Sequence, residues 1–549
     1  MHPAPADELL RKRNRESLLK FAQAIGSRSL SSDSAPFRRH LAMLFEAEGL
    51  DFRILSRTAA AALALCPLFK EMLEDADRLD AAAIRHKLRL PGYLEALDDP
   101  LAHRLLRRTF VVDLSFERLL TIIRRLYLER DEDQHWNLTP GHVRFMVSLA
   151  CQCFNNEYAY AACATEEEAL ERLAMRLRRQ IGSEDEGLVL EGLMVFAMYA
   201  PLWTLGVGAD LLRMRALSSN PDLQELAARQ VREHLEEEEI RKTIRSFGMS
   251  GESVTEAVRG QYEESPFPRW LNITVPSAVR FADAMRRRFP FLGPVETNQP
   301  VKILVAGCGT GYHPIDIAMS YSDAAVLAID ISKASLAYAI RQARRYGLTN
   351  VEFLHGDLFC LESLGMQFDV VECLGVLHHL ADPEAGLRAL RDVLIPGGFM
   401  RIGLYSRRAR AHLRDAQSFV ASRGIGRSPS ELRKIRQELA AKVTSNDWKD
   451  KWAPTGDPGF YQLSNFRDLL CHTHEVQFTP AELGALLRRL DLTFLGYRRL
   501  EDHTRAAYAE RFPMDSNMRD LDLLEQFEAE HPDIFRGLQI FWLSKSRAS

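Results

Sequence analysis

The sequence predicts a large all-α region followed by an α/β domain built on a mainly parallel sheet, in a chain of 549 residues. Apolar residues recur at helical spacing from residue 41 to about 245. Short apolar runs then alternate with helical patterns from residue 301 to 405, as a parallel sheet covered on both faces requires. A chain of this length also exceeds one hydrophobic core and should form two or more domains.

Composition narrows the class of protein. A net charge of −4, with 46% apolar and 27% charged residues, is ordinary for a globular protein and provides no global field that recruits nucleic acid or an anionic membrane. Eight dispersed cysteines and a start without an apolar signal core favour a cytoplasmic protein with reduced thiols. The uncharged run 192–209 approaches the length of a membrane span, but Pro201 predicts a buried helix that breaks there. No membrane partner is therefore expected.

The first half of the chain predicts an all-helical N-terminal domain over residues 1–245. Its aromatic-rich stretch 154–160 could line a pocket, but core packing on a helix is the favoured interpretation. Cys151-x-Cys153 with Cys163 lacks a second Cys/His pair at zinc spacing, so no metal site is predicted.

A linker and lid segment is predicted over residues 246–296. Two prolines and three aromatic residues make its stretch 262–270 rigid and extended. Two interpretations stay open for this stretch: it lies across a ligand as a lid, or it attaches the helical domain to the sheet.

The second domain is predicted over residues 297–549, with a helical insertion at about 406–480 that caps the site. Apolar runs predict strands at 301–306, 325–330, 351–355, 368–373 and 399–405, and two further strands at 491–497 and 537–543. Helical patterns between them predict helices at 312–320, 332–346 and 383–394. Ligands of such sheets bind beyond the carboxyl ends of the strands.

A glycine-rich turn follows the first of these strands. Gly307-Cys308-Gly309-Thr310-Gly311 lets a ligand touch backbone, and Asp330, nineteen positions later, ends the second strand where an acid commonly binds a ribose. The turn lacks the longer Gly-x-Gly-x-x-Gly spacing of pyrophosphate loops. It therefore suits a nucleoside without a diphosphate better than NAD or ATP.

Several motifs together resemble class I S-adenosylmethionine-dependent methyltransferases over roughly residues 297 to 405. They are the glycine turn, Asp330, the stretch His355-Gly-Asp-Leu358, the stretch 368–383 and the Leu-x-Pro-Gly-Gly turn at 394–398. The resemblance implies a Rossmann-like domain of seven strands with the last one antiparallel. The stretches 261–270 and 466–475 are also similar to bacterial methyltransferases often fused to tetratricopeptide repeats, although no 34-residue repeat is evident.

The resemblance also implies the ligand and its contacts. The cofactor would be S-adenosyl-L-methionine, with its methionine part on the glycine turn, its ribose on Asp330 and its adenine on Asp357 and Leu358. The full set of implied cofactor residues is Gly307, Cys308, Gly309, Gly311, Asp330, Ile331, Asp357, Leu358 and Glu372.

Residues near the expected position of the methyl group are candidates for catalysis. His378 and His379 follow the fourth strand, and imidazole titrates near neutral pH and suits proton removal. One of the two could instead orient the turn. The candidate catalytic residues are His378, His379, Tyr262, His472 and Glu475.

The predicted function is methyl transfer to oxygen or nitrogen of a small-molecule or peptide acceptor. The alternative is a regulatory or protein-interaction module that binds S-adenosylmethionine without catalysis. The helical region is a candidate surface for a protein partner or a homodimer. Nucleic acid is disfavoured as a substrate, because the chain has no Asn/Asp-Pro-Pro-Tyr/Phe motif and no large basic excess.

Overall fold

A computed structural model gives the structure of this chain. It describes residues 20, 24–25, 30, 32–47, 49–129, 139–181, 186–249, 259–260, 262–264, 266–424, 428–445, 448, 453–472, 475–498 and 500–547. Parts of the predicted N-terminal domain and of the predicted linker and lid segment, residues 250–258, 261 and 265 among them, lie outside this set.

The α-helices are, in chain order, α1 Ala35–Leu44, α2 Arg53–Ala64, α3 Pro67–Asp77, α4 Ala81–Lys87, α5 Pro91–Leu97, α6 Pro100–Arg108, α7 Leu114–Leu128, α8 Pro140–Asn155, α9 Ala164–Gln180, α10 Glu186–Ala197, α11 Gly208–Leu211, α12 Arg215–Ser219, α13 Pro221–Ala227, α14 Glu233–Thr243, α15 Phe281–Arg288, α16 Tyr312–Ser320, α17 Lys333–Arg345, α18 Pro383–Asp392, α19 Arg414–Ser422, α20 Pro429–Thr444, α21 Leu463–Leu470, α22 Pro480–Arg489, α23 Asp502–Arg511 and α24 Leu521–Glu530. The strands are β1 Ser246–Gly248, β2 Val301–Ala306, β3 Ala324–Asp330, β4 Val351–Gly356, β5 Phe368–Leu374, β6 Leu394–Ser406, β7 Gln477–Phe478, β8 Leu492–Tyr497 and β9 Gln539–Lys545.

Contacts divide the chain into two compact units. The helical unit comprises Met1–Glu236, Leu271–Thr274 and Arg423–Leu469, and the sheet unit comprises Glu237–Trp270, Val275–Ser422 and Leu470–Ser549. Much of the segment predicted as an insertion in the second domain therefore makes its contacts with the helical unit.

The helical unit is held by one apolar core to which successive helices contribute a face. Local capping fixes where helices begin: the side chain of Asp113 accepts from the N–H of Phe116 at the start of α7, and Thr139 caps α8. The aromatic side chains of Phe154, Tyr158 and Tyr160 are buried in this core, which confirms core packing as their role.

The apolar run 192–209 does not form one long helix. Helix α10 ends at Ala197, and a short 3-10 turn, Leu202–Leu205, follows Pro201. The predicted break is confirmed, because proline lacks the N–H that would continue the helix. Within the part of the chain that the structure describes, no helix is long and apolar enough to cross a membrane.

A buried ion pair joins α20 to α7 within the helical unit. Nη1 of Arg436 donates to Oε1 of Glu117 over 2.6 Å, and the same guanidinium bonds the carbonyl oxygens of Ala159 (3.2 Å) and Phe460. Arg436 is 2% exposed. The pair is one of several contacts between the Arg423–Leu469 stretch and residues much earlier in the chain.

The sheet unit contains a nine-stranded sheet in the order β1-β4-β3-β2-β5-β6-β9-β8, with β7 paired to the end of β6. Neighbouring strands are parallel except for β9, which runs antiparallel to both β6 and β8. This confirms the predicted fold class. The short strands β1 and β7 extend the seven expected strands.

The two faces of the sheet are buried against different helices because side chains alternate along each strand. Leu304 and Ala306 of β2 belong to one apolar core, whereas Ile303 and Val305 belong to the other. The observed β2 and α16 have the predicted bounds. The parallel strands β2 to β5 all end at one edge of the sheet, and that edge carries the site described below.

We predict that the buried Arg436–Glu117 pair contributes strongly to the stability of the helical unit. Arg436→Met would leave a buried carboxylate without its cation, which costs about 3–5 kcal/mol. Arg423→Met is the control, because Arg423 pairs with Glu438 at a partly exposed position, where a pair is worth about 0–1 kcal/mol. Thermal unfolding followed by circular dichroism would measure both, and equal shifts of Tm would contradict the prediction.

Candidate active site

The glycine-rich turn at the end of β2 has a backbone that only glycine adopts readily. The φ values are 69° at Gly307, 51° at Gly309 and 83° at Gly311. A Cβ at Gly309 would lie 2.4 Å from the carbonyl oxygen of Phe267, and a Cβ at Gly307 would lie 2.2 Å from Cγ2 of Val376. The glycines are thus required both by conformation and by close neighbours.

The turn is tied to the end of the adjacent strand β3. The N–H groups of Gly307 and Cys308 both donate to the carbonyl oxygen of Ile329, at 2.9 and 3.0 Å. Cys308 is buried, and burial raises the pKa of its thiol well above the usual value. Its side chain is therefore an unreactive packing group rather than a nucleophile.

Asp330 ends β3 and contacts the glycine turn directly. Its Oδ2 accepts from the N–H of Gly309 over 2.7 Å, and its Oδ1 accepts from the N–H of Ser332 over 2.9 Å. The side chain is 8% exposed, and burial raises the pKa of Asp330 to about 6. The predicted glycine turn and the predicted acid therefore form one hydrogen-bonded cradle.

The next strand edge holds Asp357 and Leu358, both buried. Oδ1 of Asp357 accepts from the N–H of Phe359 over 3.1 Å and so caps the 3-10 turn Leu358–Leu364. Ile331, the residue after Asp330, directs its carbonyl oxygen toward Nε2 of His355, 3.2 Å away. The ends of β3 and β4 thus lie side by side, as the parallel pairing of Asp330 with His355 requires.

The segment Tyr262–Trp270 lies on the glycine turn. The carbonyl oxygen of Phe267 accepts from the N–H of Thr310 over 3.2 Å, and Nε1 of Trp270 donates to the carbonyl oxygen of Thr310 over 3.0 Å. The ring of Trp270 is buried, and it packs edge-on against the ring of Tyr312, with centroids 5.4 Å apart. These contacts fix the second half of the segment on the turn.

The first half of the same segment reaches the loop after Asp330. The carbonyl oxygen of Tyr262 accepts from the hydroxyl of Ser332 over 3.0 Å, and its ring stacks on that of Phe267, with centroids 6.2 Å apart. Glu263 accepts from the backbone N–H of Lys333 over 2.6 Å, at the first turn of α17. The segment therefore contacts both loops that form the cradle.

Three histidines lie together beyond the ends of β5 and β6. His378 and His379 occupy the 3-10 turn that follows β5, with ring centroids 4.0 Å apart. His379 stacks on His472, with centroids 3.5 Å apart and ring planes 11° apart, and His378 faces Tyr405 at 4.6 Å. The structure brings together histidines that are separated by more than ninety positions in the chain.

Burial governs the protonation of His378. His378 is 1% exposed, and its Nδ1 has no hydrogen-bond partner in the described part of the chain. Burial, together with His379, His472 and Arg410, holds the pKa of His378 well below its usual value. The ring is therefore neutral at physiological pH and is a weaker base than a free imidazole.

Glu475 lies in the same region and pairs with Arg410, a residue that sequence reasoning did not single out. Arg410 donates from Nε to Oε1 of Glu475 over 3.1 Å and from Nη2 to Oε2 over 2.8 Å, and its guanidinium lies 3.8 Å from the centroid of the Tyr405 ring. Although burial opposes ionisation, the hydrogen bonds from Arg410 hold the pKa of Glu475 below its usual value. Helix α21 ends at Leu470, before Glu475, so the pairing with Arg410 positions the Glu475 carboxylate.

Glu372 lies inside β5 and is fully buried. Its Oε2 is 2.7 Å from Nε2 of His313 and is also ion-paired with Arg401. Although burial opposes ionisation, these two groups hold the pKa of Glu372 below its usual value. His313 and Arg401 escaped the sequence analysis because nothing in the local pattern connects them with Glu372.

Comparisons with known proteins agree with this geometry. A family model described as a methyltransferase domain matches residues 298–455. An uncharacterized protein of Synechococcus sp. is 32% identical over 276 residues, which are 46% of this chain and 62% of that protein. A ubiquinone biosynthesis O-methyltransferase of Cereibacter sphaeroides is 30% identical over 220 residues, which are 40% of this chain and 68% of that protein.

Among solved structures, PKMT2 from Rickettsia typhi has 16% sequence identity and a TM-score of 0.39, with coverage of 49% of this chain and 54% of that one. The chain spans about half to two thirds of the length of the curated relatives it matches.

We predict that Gly309→Ala loosens the segment Tyr262–Trp270 from the turn. The added Cβ would overlap the carbonyl oxygen of Phe267, so the hydrogen bond from Thr310 to that oxygen should break. Gly347→Ala is the matched control: its φ is also positive, at 65°, but no atom lies within 4 Å of its Cβ position. Hydrogen exchange at residues 309–312 should accelerate in the first variant only. Unchanged protection in Gly309→Ala would contradict the prediction.

Proposed function

Since the chain belongs to the class I S-adenosylmethionine-dependent methyltransferases, we propose that it transfers a methyl group from S-adenosylmethionine to an oxygen or nitrogen atom of a small-molecule or peptide acceptor. The observation that carries this proposal is the direct contact between the glycine turn and the buried carboxylate of Asp330. The Cereibacter sphaeroides relative is named an O-methyltransferase, which supports oxygen as the first acceptor atom to test.

The residues at the ends of β2 to β4 fit this cofactor. Bound S-adenosylmethionine supplies a methyl group on a positively charged sulfur, which activates it for displacement. Three of the five residues in the turn at 307–311 are glycines, so the turn would present backbone to a ligand at the end of β2. Asp330, with capacity for further hydrogen bonds on its two oxygens, would accept from the ribose hydroxyls. Asp357 and Leu358 would face the adenine, next to Ile331.

Glu372 has a different place in this proposal. Its carboxylate is paired with Arg401 and with His313, the second residue of α16. Glu372 would therefore affect the cofactor only by holding His313 in place, and not by direct contact. Tyr262, in the segment that lies on the turn, would exclude water from the reacting atoms together with Phe267.

We propose that the cluster of His378, His379 and His472 removes the proton that the acceptor loses on methylation. A neutral imidazole in the His378–His379 pair would accept the proton that an O–H or N–H acceptor loses. The stacking of His472 on His379 would fix the orientation of that ring. Glu475, held by two hydrogen bonds from Arg410, would set the local charge without itself taking the proton. The helical unit would bind a protein partner.

We predict that affinity for S-adenosylhomocysteine falls as the pH is lowered through about 6. The pKa of Asp330 is raised to about 6 by burial, and ribose hydroxyls are bound by the ionised form, so lowering the pH from 7 to 5 should weaken binding about tenfold. Asp330→Asn should bind weakly at both pH values, with the pH dependence removed. Isothermal titration at pH 5, 6 and 7 would measure this.

The control for this titration is Asp392→Asn, which changes an exposed acid of α18. It should reproduce the wild-type affinity and its pH dependence. A wild-type affinity that stays constant from pH 7 to 5 would show that Asp330 does not bind the ligand in its ionised form.

We predict that His378→Asn and His379→Asn lower the rate of methyl transfer, because loss of a general base costs about 10²- to 10⁴-fold. The assay follows transfer of labelled methyl from S-adenosylmethionine to components of a native cell extract. His503→Asn, at an exposed position of α23, should leave the rate unchanged. If both variants keep the wild-type rate, neither His378 nor His379 is the general base. Binding of S-adenosylhomocysteine without any wild-type turnover would favour a non-catalytic binding module.

A further inference from the structure

His355 connects the two loops that the proposed function assigns to the nucleoside. Its Nε2 lies 3.2 Å from the carbonyl oxygen of Ile331, in the loop after β3, and its Nδ1 lies 2.9 Å from the hydroxyl oxygen of Ser246, in β1. A carbonyl oxygen can only accept, so Nε2 carries the hydrogen. The Ser246 hydroxyl then donates to Nδ1, and a neutral imidazole satisfies both contacts.

Backbone hydrogen bonds at strand β1 also hold the stretch 355–357. The carbonyl oxygen of Arg245 accepts from the N–H of His355, and that of Gly248 accepts from the N–H of Asp357, each over 2.9 Å. Both residues lie at the carboxyl end of β4, next to the proposed adenine contacts. The edge strand β1, which lies beyond the seven expected strands, therefore helps to hold Asp357 in place.

The ring of Phe247 closes the contact between β1 and β4. It lies over Gly356, where an added Cβ would come within 2.1 Å of a ring carbon. Glycine at this position lets the aromatic ring sit directly on the backbone between His355 and Asp357. The packing and the hydrogen bonds thus act on the same three residues.

We propose that His355, supported by β1, is a positioning residue for the nucleoside half of the ligand. The imidazole fixes the distance between the loop at Asp330–Ile331 and the loop at Asp357–Leu358, which would hold the ribose and the adenine. A binding site whose two loops are already held in place loses less conformational freedom when the ligand binds. This inference rests on the proposed function, because it concerns the same ligand.

The side-chain contacts argue for this role beyond ordinary sheet pairing. Backbone hydrogen bonds alone would suffice to attach β1 to β4. His355 instead directs one ring nitrogen to β1 and the other to a loop that follows a different strand, β3. The bond to Ile331 lies one residue from Asp330, the buried acid of the cradle.

Isothermal titration with two probes tests this inference on the full-length protein. The probes are S-adenosylhomocysteine and 5′-methylthioadenosine, which share the nucleoside but differ in the amino-acid part. His355→Ala should raise Kd about tenfold for both probes, as expected for the loss of a hydrogen bond and of the order it imposes. His355→Gln, which keeps an N–H donor near Ile331, should stay within about threefold of wild type.

Two further variants complete the design. His503→Ala, at an exposed position on α23, is the control and should bind both probes as wild type does. Ser246→Ala removes only the hydroxyl that donates to Nδ1 and should raise Kd about threefold for both probes. The Tm of each ligand-free variant is measured alongside, because a general loss of fold would lower it.

The outcomes separate the inference from the proposed function. Wild-type affinity in His355→Ala, a loss seen with S-adenosylhomocysteine only, or equal losses in His355→Ala and His355→Gln would each overturn the positioning role. If His355→Ala does not fold, Ser246→Ala decides: weaker binding of both probes supports the inference and unchanged binding overturns it. Failure of the wild-type protein to bind either probe would instead overturn the proposed function, and this inference with it.

Discussion

The contact between the Asp330 carboxylate and the N–H of Gly309 is the interaction on which the site depends. This hydrogen bond, with 2.7 Å between the nitrogen of Gly309 and Oδ2 of Asp330, joins the ends of the adjacent parallel strands β2 and β3. It forms only because glycine allows the left-handed backbone of the turn and because a Cβ at position 309 would collide with Phe267. The covering segment, the turn and the acid are therefore coupled parts of one structure.

Three carboxylates near the site, Glu372, Glu475 and Asp330, are held in two different ways. Glu372 and Glu475 are paired with arginines, and those cations hold their pKa values below the usual range in spite of burial. Asp330 is held by backbone N–H groups instead, and burial raises its pKa to about 6. Glu372 and Glu475 are already neutralised by cations of the protein, whereas the energetic cost of burying Asp330 would be offset by the hydrogen bonds that we propose a ligand donates to it.

Much of the fold and one half of the site could be predicted because their signals are local. A βαβ unit places the glycine turn and Asp330 at one edge of a parallel sheet whatever the rest of the chain does, so their spacing alone was informative. Apolar periodicity likewise located β2 to β6. Strands β1 and β7 were missed because three and two residues are too short to show a period.

The other half of the site depends on contacts between distant parts of the chain. Arg410 belongs to a basic stretch that looks like a solvated helix face, and only the fold brings it to Glu475. His313 and Arg401 meet Glu372 through the sheet in the same way. The stacking of His379 on His472 also has no sequence signal, although each histidine was a candidate by its chemistry. The topology of the fold, and not the local sequence pattern, determines which residues pair when they lie far apart in the chain.

The most direct measurement is a crystal structure of the protein with S-adenosylhomocysteine. We expect both ribose hydroxyls to lie within hydrogen-bonding distance of the Asp330 carboxylate, with the adenine beside Leu358. A nucleoside bound elsewhere, with the Asp330 carboxylate still in contact only with backbone N–H groups, would contradict it.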